Sequence, residues 1–174
     1  LMMNTQYDTL TVRNKVSEGA LPMRRLGSFL PGQGLGGAGV HYWPRIAEVH
    51  GLQLHVANDT VDNFLYVNDG RGRFEESGLV SGTALDDQGV PNGSMGIDLC
   101  DFNRDGLPDL WVTNFEREWF ALYRNEGRGN FLHVSRRYGI TDIGGLFVGF
   151  GTVCDDFDAD GLVDIAVTDG HVVK

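Results

Sequence analysis

The sequence lacks an uninterrupted apolar run of the roughly 18 residues that a membrane-spanning helix requires, so no membrane span is predicted. Basic residues are also scarce, since 14 Lys and Arg stand against 24 Asp and Glu, for a formal net charge of −10. Binding to nucleic acid or to an anionic membrane needs a basic surface, so this balance disfavours both partners. A negative surface suits cation binding instead.

The sequence patterns of common enzyme sites are missing too. The five histidines show no metal-ligand spacing such as H-x-x-x-H, and no serine lies in a nucleophile-elbow sequence. No charged segment followed by an apolar stretch is visible after Leu1, so no signal peptide is predicted and we expect a fragment of a longer protein. The sequence therefore predicts no catalytic residue and no enzyme activity.

Cysteine and proline are rare, whereas glycine is abundant. Only Cys100 and Cys154 are present, each beside an acidic loop in a segment predicted to be a strand. A disulfide between neighbouring units is one interpretation; two buried free thiols are favoured, because unpaired cysteines are often buried. With 25 glycines and 5 prolines, the chain has the composition of short strands joined by many tight turns.

One nine-residue acidic stretch, Asp101–Asp109, has the spacing of a metal-binding loop. Oxygen-bearing side chains stand at its positions 1, 3, 5 and 9, and Gly106 at position 6 allows the sharp turn that brings them together. The start follows EF-hand chemistry, but the loop closes on Asp109 and an apolar, strand-like run follows it. The stretch is therefore predicted to be a loop that directly precedes a β-strand.

The same pattern recurs 55 residues later, where Phe150 to Asp169 aligns with Met95 to Asn114. Two copies in register favour metal binding over the alternative of solvated Asp-rich turns, and many oxygens with few fixed angles favour calcium over magnesium. Gathered carboxylates repel one another without a cation, so the ion's role would be structural. The predicted ligands, with the leucines acting through backbone carbonyls, are Asp101, Asn103, Asp105, Leu107, Asp109, Asp156, Asp158, Asp160, Leu162 and Asp164.

A second repeated feature is a hairpin. Leu65 to Phe74 and Leu122 to Phe131 each read as a strand, an Asn-x-Gly-x-Gly turn and a returning strand. One unit is thus four antiparallel strands in about 55 residues, the format of a β-propeller blade. We therefore predict an all-β partial propeller of about two and a half blades, at residues 51–82, 93–146 and, in part, 147–174.

These motifs resemble FG-GAP (VCBS-type) repeats, which occur in integrin α-subunit propellers and in many bacterial secreted proteins. The resemblance rests on Phe150-Gly151, on the two D-x-[DN]-x-D-G-x-x-D loops and on the run from Asp109 to Asn114. Val56 to Tyr66 and Asp169 to Val172 are similar, more narrowly, to FG-GAP proteins that carry an ASPIC/UnbV region. The resemblance over residues 51–174 implies a calcium-stabilised propeller, extracellular or periplasmic, that serves adhesion or binds a protein or carbohydrate.

The N-terminal segment differs in character. Ala20 to Pro31 and Gly34 to His41 resemble a piece of the GMC flavin oxidoreductases of the gluconate-dehydrogenase kind. The family's other parts are missing, so the alternative function, a remnant of an FAD-dependent oxidoreductase, would be inactive. We expect an irregular, glycine-rich GMC-like segment at residues 1–43 and a junction at 44–50. The loop equivalent in the first unit, Arg45 to Gln53, lacks carboxylates at the ligand positions, so no metal is predicted there.

Overall fold

The computed structural model describes residues 2–4, 9–11, 37–44, 52–69 and 73–172, with side chains from residue 53 onward. Within these residues the fold consists of strands and two single-turn helical segments, α1 (Gly78–Ser81) and a 3-10 turn (Ile140–Asp142). The strands, in chain order, are β1 (Met2–Asn4), β2 (Thr9–Thr11), β3 (Gly37–Pro44), β4 (Leu52–Asn58), β5 (Phe64–Asn68), β6 (Phe74–Glu76), β7 (Ser94–Cys100), β8 (Asp109–Asn114), β9 (Ala121–Gly127), β10 (Asn130–His133), β11 (Val148–Asp155) and β12 (Asp164–Gly170).

The strands pair as antiparallel meanders in which each strand lies beside its neighbour in sequence. Strands β3 to β6 form one four-stranded sheet, β7 to β10 form a second, and β11 and β12 form a two-stranded sheet. A separate hairpin joins β1 to β2. Sequential four-stranded meanders are the format of propeller blades. The prediction of an all-β, propeller-like fold of four-stranded units is confirmed.

The first sheet starts earlier than the sequence predicts. Strand β3 pairs with β4 from Gly37 opposite Asn58 to Pro44 opposite Leu52. The expected irregular segment at 1–43 therefore contains a paired strand, and the sheet spans the expected junction at 44–50. Glycine-rich composition suggested a loop, but pairing along the exposed edge of β4 supplies the backbone hydrogen bonds that fix β3 as a strand. Residues 45–51 lie outside the described residues.

Strand β8 shows how one sheet contacts both of its neighbours. Side chains alternate along a strand, so Leu110 and Val112 face one way while Trp111 and Thr113 face the other. Leu110 and Val112 join a buried cluster with Ala57 of the first sheet. Trp111 belongs to a second cluster, against which residues of β11 and β12 pack. The middle sheet thus has an apolar layer on each face, one shared with the first sheet and one with the last.

Strand β7 is an edge strand of the middle sheet and lies against both β3 and β11. A glycine makes the close approach of β11 possible, because a Cβ at Gly149 would lie 2.6 Å from the Cβ of Thr113 and 2.8 Å from Phe120 Cζ. The Thr113 hydroxyl donates to the Gly149 carbonyl at 2.6 Å. The segment that carries Phe150-Gly151 therefore stands where the last sheet approaches the middle sheet closely.

Among the described residues, no helix is long and apolar enough to cross a membrane.

Candidate metal centres

The two acidic loops occupy equivalent places in consecutive sheets. Residues 101–108 connect β7 to β8, and residues 156–163 connect β11 to β12. Each loop therefore follows the first strand of its sheet and ends where the next strand begins. Asp109 and Asp164, the predicted closing ligands, are the first residues of those next strands.

The backbone of the two loops is nearly identical. Position 6 adopts a left-handed conformation in both, with φ +82° at Gly106 and +81° at Gly161. Left-handed backbone is readily adopted by glycine and strained for other residues, which explains glycine at this position. Position 4 is also left-handed, with φ 60° at Arg104 and 61° at Ala159. The repeat in sequence is thus a repeat in backbone geometry.

Hydrogen bonds from the backbone gather the carboxylates of each loop. In the first loop the Asp101 carboxylate accepts from the N–H of Asp105 at 3.0 Å and from that of Gly106 at 2.8 Å. The second loop repeats both bonds at the same lengths, from Asp160 and Gly161 to Asp156. Position 3 joins in each case, because the side-chain oxygen of Asn103 or Asp158 accepts from the position-5 N–H at 3.1 Å. Each oxygen keeps a lone pair for a cation.

Three carboxylates converge in the second loop. Oxygens of Asp156, Asp158 and Asp164 lie within 4.8 Å of one another. Calcium–oxygen distances are roughly 2.3–2.6 Å. Two oxygens on opposite sides of one ion would therefore be separated by about twice that distance, which is close to the 4.8 Å found here. Hard carboxylate oxygens are the donors that calcium takes. The geometry fits a calcium ion held by these three residues.

Asp160 is not part of this group, and its carboxylate accepts a hydrogen bond from the backbone of its own loop. Its Oδ1 accepts from the N–H of Leu162 at 2.7 Å, as Asp105 Oδ1 does from Leu107 at 2.8 Å. In the first loop the amide of Asn103 takes the place of a carboxylate and donates to Asp105 Oδ2 at 2.8 Å. The first loop thus has the same fold as the second with one negative charge fewer.

Asp109 differs from Asp164 in being fully buried. Its Oδ2 accepts from the N–H of Phe102 at 3.2 Å, and its Oδ1 accepts from that of Asn125 at 2.7 Å. Burial raises the pKa of Asp109 to about 6; the two N–H donors counteract that rise, and the charges of Asp105 and Asp101 add to it. A bound cation would remove this penalty by stabilising the carboxylate form.

Asn125 is a supporting residue that sequence reasoning missed. Its side-chain N–H donates to the Pro108 carbonyl at 2.9 Å, and its side-chain oxygen accepts from the N–H of Gly127 at 2.9 Å. The residue therefore ties the acidic loop to the glycine turn between β9 and β10. The repeated Asn-x-Gly-x-Gly turn could have pointed to this residue, because Asn68 stands at the position of Asn125 in the first hairpin.

The raised pKa predicts a pH effect in metal-free protein. A carboxyl group whose pKa is higher in the folded state stabilises the fold below its unfolded pKa of about 3.9, and that contribution is lost as the pH rises through about 6. In EDTA, we expect the free energy of unfolding of the wild type to fall between pH 4 and pH 7 by about 1 kcal/mol more than that of Asp109→Asn. Urea titrations at several pH values measure this difference; one that stays constant with pH would contradict the assignment.

Comparison with known proteins matches this geometry to a repeat family. The sequence profile described as the FG-GAP-like repeat matches residues 52–112 and 101–167, which together make up more than half of the chain. The chain belongs to the FG-GAP-like repeat family. The two matched segments include both acidic loops, strands β4 and β8, and the part of β12 up to residue 167. FG-GAP repeats of this kind form β-propeller-like ligand-binding or scaffold modules.

A second comparison concerns a short part of the chain. A gluconate 2-dehydrogenase flavoprotein from Pantoea cypripedii is 45% identical over 42 residues, which are 24% of this chain and 7% of that protein. The chain thus spans a small fraction of this curated relative. The predicted GMC-like residues 1–43 lie largely outside the described residues, as do residues 45–51 of the loop predicted to have lost its metal. Gln53, which replaces the closing aspartate there, is buried in β4.

Proposed function

We propose that this chain is a calcium-binding segment of an FG-GAP propeller that acts as a non-catalytic scaffold or as an adhesion or ligand-binding module. The observation that carries the proposal is the pair of acidic loops, which share backbone conformation and hydrogen bonds in consecutive sheets. Solvated Asp-rich turns that bind nothing would not explain why the same conformation and hydrogen bonds recur. A metal site built into two consecutive blades would.

The role proposed for calcium is structural. Each loop joins the first strand of its sheet to the second, so an ion held between the loop start and the closing aspartate would fix that strand pair. Without an ion, three gathered carboxylates repel one another, and binding energy therefore becomes folding energy. Asp101, Asn103 and Asp109 would hold the first ion with the Leu107 carbonyl. Asp156, Asp158 and Asp164 would hold the other with the Leu162 carbonyl.

The partner proposed for the propeller is a protein or carbohydrate ligand, outside the cytoplasm. The net charge of −10 argues against nucleic acid, and family resemblance to integrin-like and ASPIC/UnbV-associated FG-GAP proteins supports an extracellular or periplasmic site. Free calcium reaches millimolar levels outside cells, which suits open, water-exposed loops of moderate affinity. Asp158 and Asp160 are exposed in this way.

The last sheet supports the further proposal that additional blades cover it. Large apolar side chains are exposed there, including Phe150 at 51%, Val153 at 45% and Ile165 at 39%. An apolar sheet face left to water is unfavourable, and a closed propeller needs about four to eight blades. Further blades, from a longer chain or from other copies, would bury this face, as the neighbouring sheets bury the faces of the middle sheet.

The experiment that tests the proposed function is thermal unfolding with calcium and with EDTA. A ligand at about 100 times its Kd stabilises the folded state by about 2.7 kcal/mol per site. For a domain of this size, that is a rise in Tm on the order of 5–10 °C. We expect the rise with calcium, its reversal by EDTA and a smaller effect of magnesium at equal concentration. Equal Tm values in calcium and EDTA would contradict the proposal.

The alternative function, a remnant of an FAD-dependent oxidoreductase, has the short match to the gluconate 2-dehydrogenase flavoprotein in its favour. It predicts a yellow protein with flavin absorbance after purification or after incubation with FAD. Colourless protein that takes up no FAD would rule this alternative out and leave the calcium proposal unaffected.

A further inference from the structure

The two cysteines lie near the ends of β7 and β11, strands of neighbouring sheets that pack against each other. Cys100 is the last residue of β7, and Cys154 is the penultimate residue of β11. Both are free thiols; Cys100 is buried and Cys154 is partly exposed. The Cys100 side chain beside it raises the pKa of the Cys154 thiol through hydrogen bonding, and burial adds to that rise. Two thiols from different sheets thus lie side by side, and one of them is partly exposed.

Neighbouring contacts fix the two strands in this register. Asp98 and Cys100 are two residues apart on β7 and so point to the same side of the strand. The carboxylate of Asp98 accepts from the N–H of Cys154 at 2.8 Å. On the same side of β11, the Thr152 hydroxyl accepts from Trp111 Nε1 at 2.8 Å. Contacts at Cys154 and at Thr152 therefore hold β11 against the sheet that carries Cys100.

The thiols also share one apolar cluster. Cys100 is buried with Trp111, Phe120, Leu122 and Val134, and Cys154 packs against that cluster. The contact is therefore part of the layer that joins the middle sheet to the last one. A covalent bond here would link two sheets whose attachment otherwise consists of side-chain contacts and a few hydrogen bonds.

We propose that Cys100 and Cys154 form an inter-blade disulfide by exchange with a low-molecular-weight disulfide such as oxidised glutathione. The partly exposed Cys154 sulfur attacks the glutathione disulfide, forming a mixed disulfide and releasing one glutathione. The Cys100 sulfur then attacks the Cys154 sulfur and releases the second glutathione. Two cysteine thiols are oxidised, one external disulfide is reduced to two thiols, and the protons of the cysteines pass to the departing sulfurs.

This bond would stabilise the chain by restricting its unfolded state, more strongly for a long closed loop than for a short one. It would attach the last sheet, with its exposed apolar side chains, to the middle sheet without requiring further blades. It would also join the strands directly before the two acidic loops. The proposal is independent of calcium, since it requires only the contact of the thiols.

The test uses the whole chain in calcium-containing buffer. Reduced protein is treated with oxidised glutathione, and a second sample is refolded from urea in a glutathione redox buffer so that shielding in the folded state does not decide the outcome. We expect a monomer lighter by about 2 Da with no free thiol, and one peptide pair joined through Cys100 and Cys154. Its Tm should exceed that of reduced protein by about 5–15 °C and return on reduction.

Cys100→Ser and Cys154→Ser are the matched controls. Each leaves one thiol, so each should take up at most one glutathione and gain no stability on oxidation. Three results would overturn the proposal. They are retention of both thiols after oxidative refolding, uptake of two glutathiones per chain, and disulfides that join separate chains.

Discussion

Replacement of Asp109 by alanine is expected to destabilise the calcium-loaded protein by about 3–5 kcal/mol. The change removes the proposed closing ligand of the first loop and the acceptor for the backbone N–H groups of Phe102 and Asn125. Each buried donor left without a partner costs about 1–3 kcal/mol. Urea unfolding followed by circular dichroism measures the loss, which is a large part of the stability of an ordinary domain.

The same substitution should cost less in EDTA. Without a cation, the buried Asp109 carboxylate is itself unfavourable, as its raised pKa indicates, and removal of its charge offsets part of the lost hydrogen bonding. Asp164→Ala is the corresponding variant of the second loop, where the proposed closing ligand is only partly buried and accepts from the N–H of Phe157 at 3.0 Å. An equal cost for Asp109→Ala in calcium and in EDTA would contradict its assignment as a ligand.

Replacement of Trp111 by alanine is expected to cost about 3–5 kcal/mol, the usual range for deletion of a buried tryptophan side chain. Trp111 is 1% exposed. Its ring meets Phe120 edge-on at 5.8 Å between centroids, and its Nε1 donates to Thr152 on the next sheet. The substitution would open a cavity between the middle and last sheets. Urea unfolding followed by far-ultraviolet circular dichroism measures the loss.

Trp119→Ala is the matched control for Trp111→Ala. Trp119 is 45% exposed and is covered on one face by Arg136, whose Cζ lies 5.1 Å from the ring centroid. Loss of an exposed cation–π contact costs about 0.5–1 kcal/mol. If both tryptophan variants lost similar amounts of stability, the apolar layer around Trp111 would not hold the sheets together as described.

Much of the fold follows from local pattern in the sequence. The glycine at position 6 of each acidic loop, the apolar run after Asp109 and the Asn-x-Gly-x-Gly turns predict the strand order of the middle sheet, which the structure confirms. These signals are local because turn chemistry and strand alternation depend on neighbouring residues. A repeat multiplies each signal, so that two copies support each other.

The parts that sequence reasoning missed depend on distant residues. Strand β3 is defined by its pairing with β4, and no alternation in its glycine-rich sequence revealed that partner. Asn125 acts on the acidic loop from another strand pair, 16 residues from Asp109. The contact between Cys100 and Cys154 requires the approach of two sheets, so spacing along the chain could not distinguish paired from separate thiols.

The most direct test of the central claim is a count of bound calcium by titration calorimetry of metal-free protein, with Asp101→Ala and Asp156→Ala as single and double variants. The account predicts two ions per wild-type chain, one in each single variant and none in the double variant. Wild-type protein that binds no calcium, or a double variant that binds as many ions as the wild type, would contradict it.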